Sequence, residues 1–271
     1  MVSRGRGRSS ILVAVLLAAV TCLVAGPAPA GAAAPDRTRP AAAGAGLVSR
    51  LVQAMTLDEK LGMVNGWPDG VTPPPTTDRL IGVGFIPGVA RLGVPALTFT
   101  DGPAGVRMNL PTTAMPAPVA LASTFSADLA QRYGQVLGRD SRARDQDVIF
   151  APMLNLVRVP QAGRNFETLG EDPFLAGIMA TNFCIGECLP FSLSRNKTLT
   201  PTWTTGLQEN DTQACLKHLV CNDSDTSRRE YDVEVDDQTF REIYLRPFEM
   251  VIEKASPLAV MTAYNSVVSE A

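Results

Sequence analysis

Short apolar runs alternating with helical patterns constrain this chain more than any other feature. Ala96–Thr100, Val148–Ala151, Leu216–Val220 and Leu258–Ala263 each read as a buried strand. Between them the apolar residues take helical spacing. Leu47, Leu51, Val52 and Met55 mark one helical face, and Thr56 with Glu59 forms a capping box for a second helix. Ser126 caps a long amphipathic helix with Leu129, Tyr133, Val136 and Leu137 on one side. Asp172-Pro173 starts another, a cap followed by proline in the first turn. Thr239–Lys254 reads as a helix with Ile243, Phe248, Val251 and Ile252 among its apolar positions. Strands alternating with such helices imply parallel βαβ units, an α/β class. Pro68–Pro95, rich in proline and glycine, reads as a loop long enough to be functional.

In such folds the polar residues at the C-terminal ends of the strands converge on one face. Asp101 ends the first run, Asn155 and Arg164 follow the second, Lys217 and His218 lie within the third, and Tyr264 and Asn265 end the fourth. Charged and hydrogen-bonding groups beside apolar strands suit a polyol, because each desolvated hydroxyl needs a donor or an acceptor. Each residue also has a plainer reading. Asp101 before Gly-Pro fits a turn former, Arg164 a surface ion pair, and Tyr264 an ordinary core aromatic. His218 is the only histidine of the chain, and a lone strand histidine is commonly a satisfied core residue. The adjacent Lys217 favours a site, since a buried lysine is costly without a partner. Successive strand side chains normally face opposite ways, so a ligand shared by this pair needs an unusual backbone.

Hydrophobic residues make up 45% of the 271-residue chain and charged residues 19%, with a net charge of −3. That balance supports a sizeable core, excludes wholesale disorder, and offers no basic block for nucleic acid beyond the first few residues. A neutral polar small molecule suits it better than a polyanion, and no Gly-rich phosphate cradle is present. Residues 1–34 read as an export signal: Arg4, Arg6 and Arg8 precede the apolar stretch Ile11–Ala25 and the small residues of Ala28–Ala34. The apolar stretch is short for a bilayer span of about 20 residues, so no stable membrane anchor is expected and the destination is secreted, extracellular. No paired arginines mark a twin-arginine route. Residues 35–46, rich in alanine, glycine and proline, read as a linker. Of the 5 cysteines, Cys22 lies in the signal. Cys184, Cys188, Cys215 and Cys221 permit disulfides whose pairing the sequence leaves open. Cys215 and Cys221 flank a strand-like segment, too far apart for zinc, and neither a metal nor a cofactor is expected.

Four segments, in order, resemble family 3 glycoside hydrolases. These are "RLGVPALTFTDGPAGVR" (Arg91–Arg107), the stretch Met115–Gly177 that contains "APMLNLVRVPQAGRNFETLGEDP", "CLKHLVCND" (Cys215–Asp223) and "TFREIYLRPFEMVIEKASPLAVMTAYN" (Thr239–Asn265). The resemblance covers roughly residues 47–183 and 205–271. It implies a (β/α)8 TIM-barrel-like N-terminal domain over residues 47–271, incomplete at its C-terminal end. It also implies a glycosidase acting on terminal non-reducing β-D-glucosyl residues by a retaining mechanism, with a β-glucoside or oligosaccharide as partner. Carried over residue by residue, Asp101 accepts hydrogen bonds from the O4 and O6 side of the sugar. Arg164 and Lys217 donate to hydroxyls in the middle of the ring, and His218 binds a hydroxyl. Tyr264 lies beside the nucleophile and fixes its orientation, and Met261 adds to the same wall. Arg107 and Glu167 stand behind these groups as supports. The family is thought to use a cis peptide at the Lys217–His218 pair.

Two departures carry further expectations. A retaining mechanism needs two carboxylates about 5 Å apart. In the family the nucleophile is an aspartate in a Ser-Asp-Trp-like motif on a later strand. No such motif precedes Ala271, and the acid/base lies later still, so no catalytic residue is assigned and the chain as given is expected not to hydrolyse glycosides. Residues 183–204 look inserted, either as a poorly ordered loop or as translated non-coding sequence; they include the sequon Asn196-Lys197-Thr198. An incomplete barrel would expose a sheet edge and apolar faces, which favours aggregation. The Lys217–Asp223 segment lacks the Lys-His-Phe-Pro-Gly-His-Gly pattern of the N-acetylhexosaminidase branch. β-Xylosidase or arabinosidase specificity and a non-catalytic carbohydrate-binding fragment stand as the alternatives. The oligomeric state is not legible.

Overall fold

The computed structural model describes residues 38–68, 82–185 and 212–270. The expected export signal, the sequon, Cys188 and residues 186–204 of the expected insertion lie outside the described residues. The chain divides into two compact units, one of residues up to Pro68 with Phe85–Leu97, the other of Asp69–Gly84 with Thr98–Ala271.

The first unit opens with helix α1 (Thr38–Ala54), which replaces most of the expected 35–46 linker. Alanine is the strongest helix former, and Pro40 falls in the first turn, where its missing N–H leaves no hydrogen bond unmade. Val48 on α1 and Met55 just past its end are buried, each 7% exposed, whereas Val52 faces water at 42%. Helix α2 (Leu57–Asn65) starts at the expected capping box: the Thr56 side chain accepts from the Glu59 N–H, and Glu59 accepts from the Thr56 N–H. Glu59 also pairs with Arg91 at 2.5 Å, and Arg91 donates to the Ala54 carbonyl at 2.7 Å. Met55, Val89 and Val94 pack with Met63 and Leu92. The expected Pro68–Pro95 loop is partly structured. Strands β1 (Trp67–Pro68) and β2 (Gly84–Ile86) pair, and a 3-10 turn at Ala90–Leu92 is closed by the Val89–Val94 bridge, with Gly93 left-handed. Residues 69–81 lie outside the described residues.

The second unit is built on parallel strands β3 (Leu97–Asp101), β4 (Val148–Phe150), β5 (Gln213–Leu219) and, after the elements given below, Ala259–Thr262. Each overlaps its expected run. The register sets Asp101 beside Phe150 and Ile149 beside Ala214. The loop after β3 is held by Tyr133, whose hydroxyl lies 2.7 Å from Pro103 O and 2.8 Å from Pro116 O. That tyrosine sits on α4 (Ala127–Ala143), which follows the short α3 (Pro118–Ala122) and is capped by Ser126 as expected. The buried face of α4 runs through Ala130, Tyr133 and Leu137, while Leu129, one residue round from Ala130, is 43% exposed. Helix α5 (Pro173–Cys184) starts with Asp172 accepting from the Leu175 N–H at 2.7 Å. It packs against α4 on one side. Phe183 and Cys184, expected to open an insertion, complete its last turn and are 1% and 0% exposed. Their apolar side chains belong to the main core, so any insertion starts beyond them.

A strand absent from the expectations, β6 (Asp232–Asp236), leads into a helical segment that is not continuous. Asp236 caps one turn at Asp237–Thr239, a π-helical stretch follows at Phe240–Tyr244, and α6 runs over Arg246–Ala255. The expected single helix Thr239–Lys254 is interrupted because Pro247 has no N–H to return to the preceding turn, and a change of pitch absorbs the mismatch. Phe248 and Val251 of α6 are buried against α5, whereas Ile252 is 47% exposed. Strand β7 (Ala259–Thr262) then pairs with β5, with a register shift between Leu216 and Leu219. Strand β8 (Ser266–Glu270) pairs in parallel with β6, Val233 against Val267. Cys215 and Cys221 are buried free thiols.

Candidate functional site

Asp101 closes β3, and its position is fixed by the backbone that follows. Gly102 has φ 157°, and a Cβ there would lie 2.3 Å from the Gly105 carbonyl oxygen, so only glycine lets the chain fold back this closely. The returning strand donates the Arg107 N–H to the Asp101 carbonyl at 2.9 Å. The Arg107 guanidinium is 3.4 Å from Asp101 Oδ2 but is 78% exposed, a weak screened contact.

Lys217 on β5 is the buried centre. Its side chain is 2% exposed, and Nζ donates to Asp101 Oδ1 at 2.6 Å and lies 3.6 Å from Glu167 Oε2. Glu167 belongs to the 3-10 turn Asn165–Glu167, in the long connection after β4. It also accepts from Arg164 Nε at 2.5 Å. The connection is pinned by Asn165, whose amide donates to the Val159 and Pro160 carbonyls. Arg164 Nη1 lies 3.5 Å from His218 Nε2 and 3.9 Å from Asp225 Oδ1. The Lys217–His218 peptide is cis, and both side chains join this one network.

The electrostatics follow from burial and pairing. Burial opposes ionisation of Asp101, but Lys217 outweighs it and holds the carboxyl below its ordinary value. Burial likewise opposes the charge on Arg164, and Glu167 more than restores it. His218 is pushed down to about 3, first by burial and then by the neighbouring Lys217 and Arg164 cations. It is therefore a neutral imidazole at physiological pH. The network offers fixed donors on Lys217 and Arg164 and acceptors on Asp101 and Glu167 within one small region, a set that can exchange hydrogen bonds with a hydroxylated ligand. Asp101 and Arg164 retain 24% and 18% exposure and are its accessible members.

Two expected members make no hydrogen bond or ion pair with this network. Met261 is half-buried on β7. Tyr264 is 58% exposed and lies against two guanidiniums, with Arg229 at 5.0 Å and Arg228 at 5.6 Å from its ring. Arg228 in turn pairs with Asp225 at 3.2 Å, so Tyr264 reaches Arg164 only through a chain of ionic contacts. Glu167, expected as a support, lies between buried Lys217 and half-buried Arg164 and contacts both. Asn155, Asp223 and Asp225 were not assigned roles. Asn155 exchanges two hydrogen bonds with the His218 backbone, and Asp223 accepts from the Leu156 N–H at 3.0 Å. Burial drives the Asp223 carboxyl up to about 6, against the pull of that N–H. The only sequence signal for them was position, just beyond a strand end. A cavity of about 10 Å3, room for about one water, is bordered by Asn155, Arg164, Asn222, Asp223 and Asp225. Among the described residues no group of His, Cys, Asp or Glu is placed to hold a metal ion, and no helix is long and apolar enough to cross a membrane.

Residues 87–187 match the family described as Glycosyl hydrolase family 3 N terminal domain. Probable beta-glucosidase J of Aspergillus fumigatus is 32% identical over 225 residues, 81% of this chain and 22% of that protein. Among solved structures, β-glucosidase 3B from Thermotoga neapolitana in complex with glucose superposes with a TM-score of 0.70 at 35% identity, covering 83% of this chain and 30% of that one. DesR, a β-glucosidase from Streptomyces venezuelae in complex with D-glucose, gives 0.66 at 39% identity over 81% of this chain and 24% of its own. The chain thus spans less than a third of the length of these relatives.

Proposed function

The chain carries the N-terminal domain of glycosyl hydrolase family 3, and from that premise we propose that it supplies the sugar-binding wall of a retaining, exo-acting β-glucosidase. The observation that carries this reading is the joined Asp101–Lys217–Glu167–Arg164–His218 network at the strand ends. In it a terminal β-D-glucosyl unit meets Asp101 and Arg164 directly. Lys217 lies behind them, His218 turns its Nε2 to the ligand beside Arg164, and Met261 and Tyr264 border the same ring from β7 and its following turn. Arg107 and Glu167 hold Asp101, Arg164 and Lys217 in place.

The full fold in this reading is a (β/α)8 barrel, of which the four parallel strands β3, β4, β5 and β7 are a part. It is supported by an open groove of about 830 Å3 in which Phe174, Leu219, Leu245, Phe248 and Ile252 alternate with Arg241, Glu242, Arg246 and Glu249, a partly apolar face of the kind a closed barrel covers. The protein is secreted, and its substrate is a β-glucoside or oligosaccharide.

Binding without turnover is the activity proposed for the chain itself. Asp101, Glu167 and Asp225 each lie against a cation, and Asp223 is tied to the Leu156 N–H. None of these is free to attack an anomeric carbon while a second stands about 5 Å away as acid. The test uses the full chain in two assays. Glucose titrated calorimetrically should bind in the millimolar range, and Asp101→Ala should abolish binding while the variant keeps its fold by circular dichroism. 4-Nitrophenyl β-D-glucoside should not be turned over above the buffer rate. Absence of glucose binding at 100-fold excess over a millimolar Kd would sink the sugar-binding reading, and turnover would sink the binding-only part.

A further inference from the structure

Asn155 has no assigned role, yet both ends of its side-chain amide are engaged by a single residue. Its Oδ1 accepts from the His218 N–H at 2.9 Å, and its Nδ2 donates to the His218 carbonyl at 2.9 Å. These two bonds fix which end of the amide is oxygen. A flipped amide would set NH2 against N–H and oxygen against carbonyl, losing both bonds in a site where Asn155 is 3% and His218 6% exposed.

The same oxygen lies 3.0 Å from the imidazole Nδ1. An amide oxygen has no hydrogen to give, so that contact is a hydrogen bond only if Nδ1 carries the proton. The other side of the ring agrees. Nε2 faces Arg164 Nη1 at 3.5 Å, and a guanidinium can only donate. Two partners of opposite kind, on opposite nitrogens, therefore select one neutral tautomer.

We propose that Asn155 is a positioning residue that locks His218 as the Nδ1–H tautomer, so that His218 offers its bare Nε2 to the sugar and accepts the proton of a ligand hydroxyl. This acceptor role rests on the sugar-binding reading above; the tautomer does not. The Arg164 contact is long, 3.5 Å, so a hydroxyl can take the single lone pair of Nε2 in its place while its own oxygen accepts from the guanidinium. A fluorine or a hydrogen in place of that hydroxyl cannot donate, and leaves Nε2 with Arg164 alone. The arrangement therefore reads the ligand for a group that donates as well as accepts, which distinguishes a hydroxyl from an acceptor-only substituent.

The test exploits the single histidine of the chain. The full chain is prepared without a histidine tag and with 15N-histidine, and two-bond proton–nitrogen correlations are recorded at pH 7. The expected spectrum has Nδ1 as the protonated nitrogen and Nε2 as the bare one. Asn155→Asp, which keeps the acceptor, should retain that pattern. Asn155→Ala should shift it toward Nε2–H and weaken glucose binding about tenfold, the loss of roughly one hydrogen bond. Saturating glucose should move the Nε2 resonance in the wild type, and one member of a monodeoxyfluoro-glucose series should lose that effect. A wild-type spectrum with Nε2 protonated, or a mixture of both forms, overturns the proposal even if Asn155→Ala does not fold. An unchanged tautomer in a folded Asn155→Ala variant overturns the role of Asn155. Glucose that binds by calorimetry without moving Nε2 overturns the acceptor role, whereas glucose that fails to bind at all refutes the sugar-binding reading and leaves the tautomer assignment to be decided by the free-protein spectrum.

Discussion

Replacing Lys217 with methionine tests the centre of the network. Methionine keeps the length and most of the volume of the side chain and removes only the ammonium group. What it leaves behind sets the magnitude. Glu167 keeps Arg164 at 2.5 Å, so its charge remains compensated. Asp101 loses its 2.6 Å partner and keeps the Gly102 N–H at 3.1 Å, Arg107 at 3.4 Å on a 78% exposed side chain, and the more distant charge of Arg164. Breaking a buried ion pair by deleting one partner costs about 3–5 kcal/mol. Asp101 is 24% exposed and water can reach it, which places Lys217→Met near the lower end, roughly 3 kcal/mol. Asp101→Asn should cost a similar amount: the ammonium is the deeper partner, 2% exposed, but it keeps Glu167 at 3.6 Å. The double variant removes both charges and should cost about 2 kcal/mol less than the sum of the two singles. Urea denaturation at pH 7 measures all four corners of the cycle through the midpoint, provided the slope is unchanged. Additivity within about 0.5 kcal/mol, or a Lys217→Met penalty below about 1 kcal/mol, would refute the claim that this pair is coupled and desolvated.

Asp223→Asn keeps the acceptor for the Leu156 N–H while removing a charge whose folded pKa is raised from 3.8 to about 6. The folded state binds the proton more tightly, so the wild-type carboxyl destabilises increasingly as pH rises from about 4 to about 6. The variant should be more stable by roughly 2 kcal/mol at pH 7 and equal to the wild type near pH 4, as read from urea midpoints at the two pH values. His218 acts with the opposite sign, because its folded pKa is lowered from 6.5 to about 3. The unfolded chain takes up the proton first, so stability falls as pH drops from 6.5 toward 3, by up to about 4 kcal/mol, and His218→Gln should flatten that acid limb relative to the wild type. Gly102→Ala should lose more than about 2 kcal/mol in the same assay, since its Cβ would meet a backbone carbonyl that cannot turn aside; a neutral result would show that the β3 turn can open.

The elements legible in the sequence were those whose signals are local. Thr56–Glu59, Ser126 and Asp172 cap helices where expected because a cap needs only a side chain and an N–H two or three residues on. The four strands of the second unit followed from short apolar runs. The failures needed longer-range knowledge. Thr38–Gly46 resembles a linker in composition but has the alanine content of a helix. Leu129 and Ile252 fit the helical period and still face water, because the width of the buried stripe depends on what packs against it. Strands β6 and β8 exist through each other, Val233 against Val267, and neither segment alone is apolar enough to announce itself. In the site, Asp101 and Arg164 were singled out by their place after strands and the Lys217–His218 pair chiefly by resemblance, and the four share one network in the structure. Asn155 had the same place but no charge to draw notice, and its partner lies 63 residues on. Tyr264 was assigned by resemblance, and in the structure its ring lies against Arg228 and Arg229.

The exposure of the network sets how tightly it can hold a sugar. Lys217 and Glu167 are nearly closed off and already satisfy one another, so a ligand gains little from them beyond a fixed field. New hydrogen bonds come chiefly from Asp101 and Arg164, with His218 beside Arg164. A hydrogen bond that replaces one to water contributes about 1 kcal/mol, or about 2 where one partner is charged. Three or four such bonds, partly open to solvent, amount to roughly 4–6 kcal/mol before the cost of immobilising the ligand, which places glucose in the millimolar range. Micromolar affinity would require apolar contact with the sugar face and exclusion of water from the opposite side. Neither is provided by the described residues around Tyr264, which is open to water beside two cations. If the chain bound glucose with micromolar affinity, an enclosed pocket would have to form around this network, and the open arrangement of Asp101, Arg164 and Tyr264 would not be the binding state.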